Sequence, residues 1–585
     1  MMRTDTMKQG LYIAISLLGF TGVVYAEKYQ VGSAEVTTNL SVSAGVGISM
    51  EDPEPKFYHS ANGELQPGLA QGSGLTRTTD DGKLNFSEGD VYSSILKANG
   101  DVDINFGTYG VFLRGKAWYD NELENGDRPH GHAPNGYESG APLDDSDFSD
   151  FAKFKGAELL DAFLYTEFDI GEVPVSLRVG RQVVSWGEGT LILGGVNSIN
   201  PIDVNAFRRP GADIKEGLLP VGMIFGQFGL TPNLSLETFY QYEWDSFAID
   251  GCGTFFATTD FAATGCGNGS IPFAADDPTA SRAGLFIPRA ENIDPDDRGQ
   301  YGMAMRYYSD ELGTEFGAYY MNIHSRRPLI SIVRGDADVG AGYGFQDNAS
   351  YYFIEYPEDQ QIIGLSFATE VSGLSLSGEI SHHKDEPHQV NGTDLLVSLL
   401  TSGGPVGDVF TATPVGGVSH GYGLFDRTRV QMTGIKFLDN VMGASRLTLL
   451  GEVGADFSDV PDSDASANGT ADPARYGRNP IYGFGDTGGF TDGYMTDFSW
   501  GYRVRAIWNY GNVFNGISLK PVLAWSHDVK GYSNAFFEDR KVLGLTLKAD
   551  YLSKYNASIG YTSFTGDKQI GKDRDFLSLS VGMTF

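Results

Sequence analysis

Phe498-Ser499-Trp500-Gly501-Tyr502-Arg503-Val504-Arg505-Ala506-Ile507-Trp508-Asn509-Tyr510 alternates from its first residue to its last. Phe498, Trp500, Tyr502, Val504, Ala506, Trp508 and Tyr510 share one face. Ser499, Gly501, Arg503, Arg505, Ile507 and Asn509 share the other. A period of two is the signature of a β-strand with one apolar and one hydrated side. The chain closes on the same pattern, with Leu577, Leu579, Val581, Met583 and Phe585 opposite Ser578, Ser580, Gly582 and Thr584. Near the start, Val36, Thr38, Leu40, Val42, Ala44, Val46 and Ile48 do likewise. A soluble sandwich also alternates, so the pattern fixes strands without fixing their surroundings.

Spacing narrows the choice. Candidate strands fall at about 36–48, 93–106, 109–119, 158–170, 175–184, 222–230, 234–245, 300–308 and 314–323. Others fall at about 361–369, 374–383, 428–438, 446–456, 497–509, 516–527, 541–551, 555–565 and 576–585. Each is close to the roughly 9–11 residues of a tilted membrane strand. Long gaps (49–92, 120–157, 185–221, 246–299, 324–360, 384–427, 457–496) alternate with tight turns such as Gly171-Glu172-Val173-Pro174. Short turns on one side and long loops on the other are the plan of an outer-membrane barrel. The expected fold is all-β: a transmembrane antiparallel β-barrel of about eighteen strands (sixteen is the alternative count), its long external loops partly folded into the lumen. A secreted sandwich or propeller is the competing architecture.

Composition agrees. Gly supplies 77 of 585 residues, close to twice the usual share of about 7%. Aromatic residues make up 12%, and Trp and Tyr near strand ends (Tyr119, Tyr242, Trp508, Tyr510, Trp525, Tyr551) suit interfacial girdles. A mean hydropathy of −0.21 fits a barrel, whose inner face is hydrated. Net charge is −33, which excludes a general nucleic-acid binder, since phosphate contacts need a positive footprint. Residues 1–26 read as a secretory signal peptide: Arg3 and Lys8, the apolar stretch Leu11 to Val24, then Val24-Tyr25-Ala26 as cleavage site. Residues 27–585 are then one barrel domain. Beyond the signal no apolar run is long enough for a membrane helix.

Three groups of phrases carry a resemblance. They are Arg178–Gly189 (RVGRQVVSWGEG), Ile199–Met223 (INPIDVNAFRRPGADIKEGLLPVGM) and Leu230–Trp244 (LTPNLSLETFYQYEW). With Phe286–Tyr308, Leu312–Arg326 and Leu374–His383 they resemble a family of proteobacterial outer-membrane barrels known chiefly as a domain of unknown function. The resemblance spans nearly the whole mature chain and implies an envelope protein suspected of moving hydrophobic organic molecules. It also implies a periplasmic or export-system partner. A terminal Phe585 is similar to the recognition signal of barrels inserted by the assembly machinery. The other expected partners are outer-membrane lipid and lipopolysaccharide.

Candidate site residues follow from alternation. Arg178, Glu237, Arg306, Glu379, Glu452, Arg503, Arg505, Lys520 and Lys548 fall on the lumen face. A Lys or Arg on the lipid face near the midplane would cost about 2–4 kcal/mol. Two readings stay open for them: a charged constriction that orients solutes, or Arg–Glu pairs that brace the wall. The gap Ser185 to Pro220 combines Trp186, Leu191, Ile192, Leu193 and Phe207 with Asp203, Arg208, Arg209, Asp213, Lys215 and Glu216. Its apolar content predicts that it folds inward and narrows the lumen; a lip across the mouth is the competing arrangement. Cys252 and Cys266 are expected to form a disulfide in an oxidising compartment. No cofactor, metal site or catalytic residue is expected: His382, His383 and His388 match no zinc motif. Asp462-Ser-Asp464-Ala-Ser466 matches a calcium loop only partly, with Ala467 in place of glycine. Residues 391–401 can form a short helix.

The function expected is an outer-membrane channel, not an enzyme, with hydrophobic and small polar solutes both open. The alternative is a non-transport barrel presenting its loops for adhesion, docking or scaffolding. Hydrophobic traffic would call for an apolar groove in loops 49–92, 324–360 and 384–427.

Overall fold

Leu40 and Phe585 exchange backbone hydrogen bonds of 3.3 and 2.7 Å, and Ser41 to Ser49 then pair antiparallel with Thr584 to Phe576. The last strand therefore meets the first. This computed structural model describes residues 28–585 apart from 67, 75–76, 213–215, 268–275, 336–349, 402–405, 462–475, 478–492, 567–568 and 570. The proposed signal peptide, the 462–466 phrase, Asp213 and Lys215 lie outside the described residues.

The barrel strands are β1 (Ala34–Ser49), β2 (Val91–Asn105), β3 (Tyr109–Asp120), β4 (Lys155–Ile170), β5 (Val173–Gln182) and β6 (Val221–Thr231). Next come β7 (Leu234–Gln241), β8 (Gln300–Ser309), β9 (Thr314–Ile323), β10 (Gln360–Val371), β11 (Leu374–Gln389) and β12 (Tyr422–Val441). The ring ends with β13 (Ala444–Ser458), β14 (Phe498–Phe514), β15 (Ile517–Lys530), β16 (Lys541–Tyr551), β17 (Tyr555–Thr565) and β18 (Phe576–Thr584). Each pairs antiparallel with its sequence neighbours. Closure leaves no sheet edge, as hydrocarbon demands of any spanning sheet. A nineteenth short strand, Lys28–Val31, folds back on Ala34–Thr37. No helix among the described residues is long and apolar enough to cross a membrane, which says nothing against strands doing so.

The turns follow local chemistry. Asn515 and Gly516 both have positive φ, 45° and 90°. That is the type I′ geometry whose twist matches a two-residue hairpin, and Gly516 meets it without a Cβ penalty.

Exposure separates the two faces. Met223 is 0% exposed and its neighbour Ile224 45%; Ile362 is 0% and Ile363 53%. Leu164, Leu365, Val430, Met432, Val453, Leu545, Leu547 and Ile559 point the same outward way as Ile224 and Ile363. They form an apolar belt around the outside. The inner face is polar over most of the ring, with one exception. On β6, Val221, Met223 and Phe225 face inward and join Phe239, Tyr319, Met321 and Ile362 in a buried cluster with Trp186 and Val196. That arc is apolar because a chain segment docks on it.

Several strands outrun the sequence reading: β11 extends to Gln389 and β12 starts at Tyr422. Above the belt the hairpin continues past a bulge between His383 and Glu386, because ion pairs such as Arg427 with Glu386 hold the extension together. The external loops also build a core of their own. Leu329–Val333 pairs with Tyr351–Glu355 and Val418–Ser419, and helix Gly392–Thr401 covers it. Ile332, Tyr352, Leu395, Leu399 and Phe410 pack together there. Many of the apolar residues described in loops 324–360 and 384–427 thus fill a core, while Val415 and Val418 stay exposed.

Cys252 and Cys266 are disulfide-bonded and lie among Leu143, Phe148 and Phe154. His132 sits against them. Its Nδ1 lies 3.0 Å from the Cys252 carbonyl and its Nε2 accepts from the Asp144 amide at 2.8 Å, which fixes a neutral ring. Burial pushes its pKa down to about 4. The unfolded chain binds this proton more readily, so stability is complete above about pH 6.5 and lost progressively toward pH 4, by up to about 3 kcal/mol. Hydrogen-exchange protection of residues 130–150, corrected for intrinsic rates, should fall over that window. A His132→Asn variant, unable to charge, should show little of the fall.

Candidate functional site

Register places the charged residues read as lumenal on one face. Glu452 lies opposite Arg503 and Thr433, Glu379 opposite Gln431, and Glu237 opposite Gln227 and Ala304. Glu379 and Glu452 hold the backbone of the segment that follows β5, while Glu237 lies 3.5 Å from the Arg306 guanidinium and accepts from the Trp186 indole.

That segment enters the barrel at Trp186, whose Nε1 donates to Glu237 Oε2 at 2.7 Å. Glu379 accepts the amides of Glu188 (2.6 Å), Gly189 (3.1 Å) and Val196 (2.9 Å). Glu452 accepts those of Thr190 (2.9 Å), Leu191 (2.8 Å) and Ile192 (2.8 Å). From the same wall, Arg427 donates to the Gly194 carbonyl at 2.9 Å and Arg429 to that of Leu193. Asp456 pairs with both arginines. Anions meet peptide N–H groups and cations meet peptide carbonyls, the charge-assisted kind of hydrogen bond. Gly195 is required here, since a Cβ would stand 2.0 Å from Glu379 Oε1.

The other half of the segment is fixed across the ring. Asp203 is buried, receives Lys116 Nζ at 2.8 Å and caps helix Val204–Arg208 through the Ala206 amide at 3.1 Å. Glu216 receives Lys97 Nζ at 3.0 Å and Asn99 Nδ2 at 3.2 Å. Arg208 pairs with Asp250. Arg209 donates to the Phe151 carbonyl at 3.0 Å and stacks on Trp118. One end is therefore held on β11–β13 and the other on β2–β3, which face each other across the ring. The segment spans the lumen, as its apolar content predicted.

Residues 7–585 match the family model described as a protein of unknown function (DUF1302). The chain belongs to that family. Curated proteins yield no match. Among solved structures it is similar to OccAB3 of Acinetobacter baumannii, at 10% identity and a TM-score of 0.40, over 94% of this chain and 99% of that one. It is also similar to the outer membrane protein OpdK of Pseudomonas aeruginosa, at 9% identity and a TM-score of 0.40, over 94% and 98%.

Above the spanning segment, this DUF1302 barrel holds a cavity of about 630 Å³. Leu191, Leu193, Phe207, Phe247 and Ile249 give it an apolar side; Arg326, Arg327, Arg427 and Arg503 give it a basic one. Most of these cations are occupied. Arg326 donates to the carbonyls of Asp245 and Ile199 and to Gln241, and Arg503 pairs with Asp528 at 2.6 Å. Arg327 makes no ion pair among the described residues; burial, with Arg427 and Arg429 beside it, pulls its pKa below the usual arginine value against the opposing field of Glu386.

Below the cavity, β14 carries Arg503 and then Arg505 toward the short turns. Arg505 lies opposite Leu450 and Ala524, with no ion pair among the described residues. Lys520 and Lys548 are directly opposite each other, both exposed. Like charges so placed repel unless an anion lies between them. Arg306, in contrast, is surrounded by Glu237, Glu315 and Glu188, and Arg178 lies over the Phe225 ring at 4.4 Å. His382 and His383 point to opposite faces, with His382 against Thr428 and Asp426, so they do not converge on one site.

Sequence reasoning missed Arg327, which belongs to no strand and so has no alternation to place it. It also missed the clamp. A usable signal was present on β6, where Val221, Met223 and Phe225 are apolar on one face while Ile224 and Phe228 are apolar on the other. A strand with two apolar faces in a water-filled barrel implies that something covers the inner one.

Proposed function

We propose that the protein is an outer-membrane channel for small organic anions with an apolar part, carried to the membrane by the signal peptide at residues 1–26. The outward apolar belt and the closed ring fit a bilayer, and the long loops mark the external side. The observation that carries the solute class is a set of cations that make no ion pair among the described residues: Arg327 in the cavity, where Glu386 is the one carboxylate acting on it, Arg505 below it, and the facing Lys520 and Lys548 near the short turns. In a chain of net charge −33, inward cations that make no ion pair favour a negatively charged solute. The apolar side formed by Leu193, Phe207 and Phe247 suits an aromatic or aliphatic body beside a carboxylate.

Planar-bilayer reversal potentials test this. The wild type should prefer an aromatic carboxylate to a cation of equal size, and Arg327→Ala should cut that preference several-fold while insertion is unchanged. A reversal potential identical in wild type and variant, or correctly inserted protein that conducts nothing, would overturn the reading. The loop core around Ile332 and Leu399 favours a second reading, in which the external face docks a partner. Its mark would be a deletion strain with unaltered uptake.

A further inference from the structure

Four carboxylates are buried together at the long-loop end, outside everything described so far. Asp80 and Asp81 come from the loop between β1 and β2, Asp260 and Asp277 from the loop between β7 and β8. His130, from the loop between β3 and β4, completes the group. Asp80, Asp81 and Asp277 are 0% exposed, and His130 and Asp260 1%.

The hydrogen bonding is one-sided. Asp80 Oδ2 accepts from the His59 amide (2.9 Å) and Asn62 Nδ2 (3.1 Å). Asp260 Oδ2 accepts from the Asp80 amide (2.9 Å), and Asp277 Oδ2 from Asn62 Nδ2 (2.6 Å). The opposite oxygens, Oδ1 of Asp80, Asp260 and Asp277, have no hydrogen-bond donor, and neither do both oxygens of Asp81. His130 Nε2 stands 3.2 Å from Asp81 Oδ1 and 3.7 Å from Asp277 Oδ2, with neither contact aligned as a hydrogen bond. Even a charged His130 would answer one of these oxygens and leave the rest.

Burying one unpaired carboxylate is costly, and burying several side by side more so. The spacing says what would relieve it. Ligand atoms of Asp80, Asp81 and Asp260 all lie within 4.8 Å of one another, as do those of Asp81, His130 and Asp277. Oxygens around a cation bonded at about 2.3–2.6 Å fall within about 5 Å of each other. Carboxylates with one oxygen tethered and the other bare are held as metal ligands are, with the tethers acting as supporting contacts.

We propose that Asp80, Asp81 and Asp260 bind a divalent cation of the hard, oxygen-preferring class, calcium, with Asp81 bridging toward His130 and Asp277. The site staples three external loops that are otherwise distant in sequence. Oxygen donors in the majority select calcium over zinc, which would seek imidazole and thiolate. Its location on the external side would place it where such modules bind with dissociation constants on the order of 10⁻⁴ to 10⁻³ M.

The test uses the full chain, purified in detergent and stripped with a chelator, titrated with Ca²⁺, Mn²⁺ or Zn²⁺ alone. Since lipopolysaccharide also binds divalent cations, wild type and Asp81→Asn are compared at equal lipopolysaccharide content. Heat-modifiable migration checks that each is a folded barrel, and Asp260→Asn stands in if Asp81→Asn is not. The expected result is one saturable calcium per chain, weakened at least about tenfold in the variant, with calcium raising loop protection in hydrogen exchange only for wild type. No binding of any of the three ions, calcium binding equal in wild type and variant, or a site filled by zinc or manganese but not calcium would each overturn the proposal.

Discussion

Replacing Glu379 and Glu452 together by alanine is expected to raise single-channel conductance several-fold and to erase solute preference. These two side chains accept six backbone amides of the spanning segment between Glu188 and Val196. An amide left buried without an acceptor costs about 1–3 kcal/mol, so the double change removes more than the remaining contacts of this stretch can hold. Residues 187–196 would leave the wall and swing toward solvent, opening a lumen that eighteen strands leave wide. The barrel ladder is untouched, so heat-modifiable migration should be unchanged. Glu379→Gln with Glu452→Gln should lie between, because an amide oxygen still accepts but without charge. Conductance equal to wild type in the folded double alanine variant would mean that the segment does not limit the pore.

The second large effect is expected from Lys116→Met. Lys116 is the ion-pair partner of Asp203, and both side chains are nearly fully buried, at 4% and 0% exposure. Breaking a buried pair from one side leaves an uncompensated charge and costs about 3–5 kcal/mol. Removing both partners costs far less, so Lys116→Met with Asp203→Leu should recover most of the loss. It should fall short by about 1 kcal/mol, because Asp203 also caps helix Val204–Arg208. Guanidinium unfolding of the reconstituted protein, run as a double-mutant cycle, reads both figures. A loss in the double variant equal to the sum of the two single losses would show that the pair contributes nothing beyond its separate packing.

Strand positions were legible because membrane strands obey two constraints at once, a period of two and a fixed length. Every one of the eighteen segments read from alternation has its strand, and the segment from Trp186 to Leu219 turns inward as its apolar residues imply. The inner face was legible for the same reason, down to Glu379, Glu452 and Arg503. What those side chains hold was not legible, since a carboxylate facing the lumen carries no mark of whether it meets an arginine, a solute or a peptide amide. The short sheet built from Leu329–Val333 was missed because one partner, Tyr351–Glu355, lies further along the same loop and the other, Val418–Ser419, comes from a different loop. The carboxylate cluster was missed for a similar reason: Asp80, His130 and Asp260 come from three separate gaps, and only folding brings them together.

In the proposed channel, the grip on the spanning segment leaves room for diversification. Glu379, Glu452, Arg427 and Arg429 grasp peptide groups, which every residue possesses, so the hold is indifferent to the side chains of Thr190, Leu191 and Leu193, whereas Ile192 is buried. Under that proposal, substitutions at Thr190, Leu191 or Leu193 should retune what passes without loosening the anchor. The same tether makes this stretch a natural cassette for engineering new permeation preferences into an unchanged scaffold.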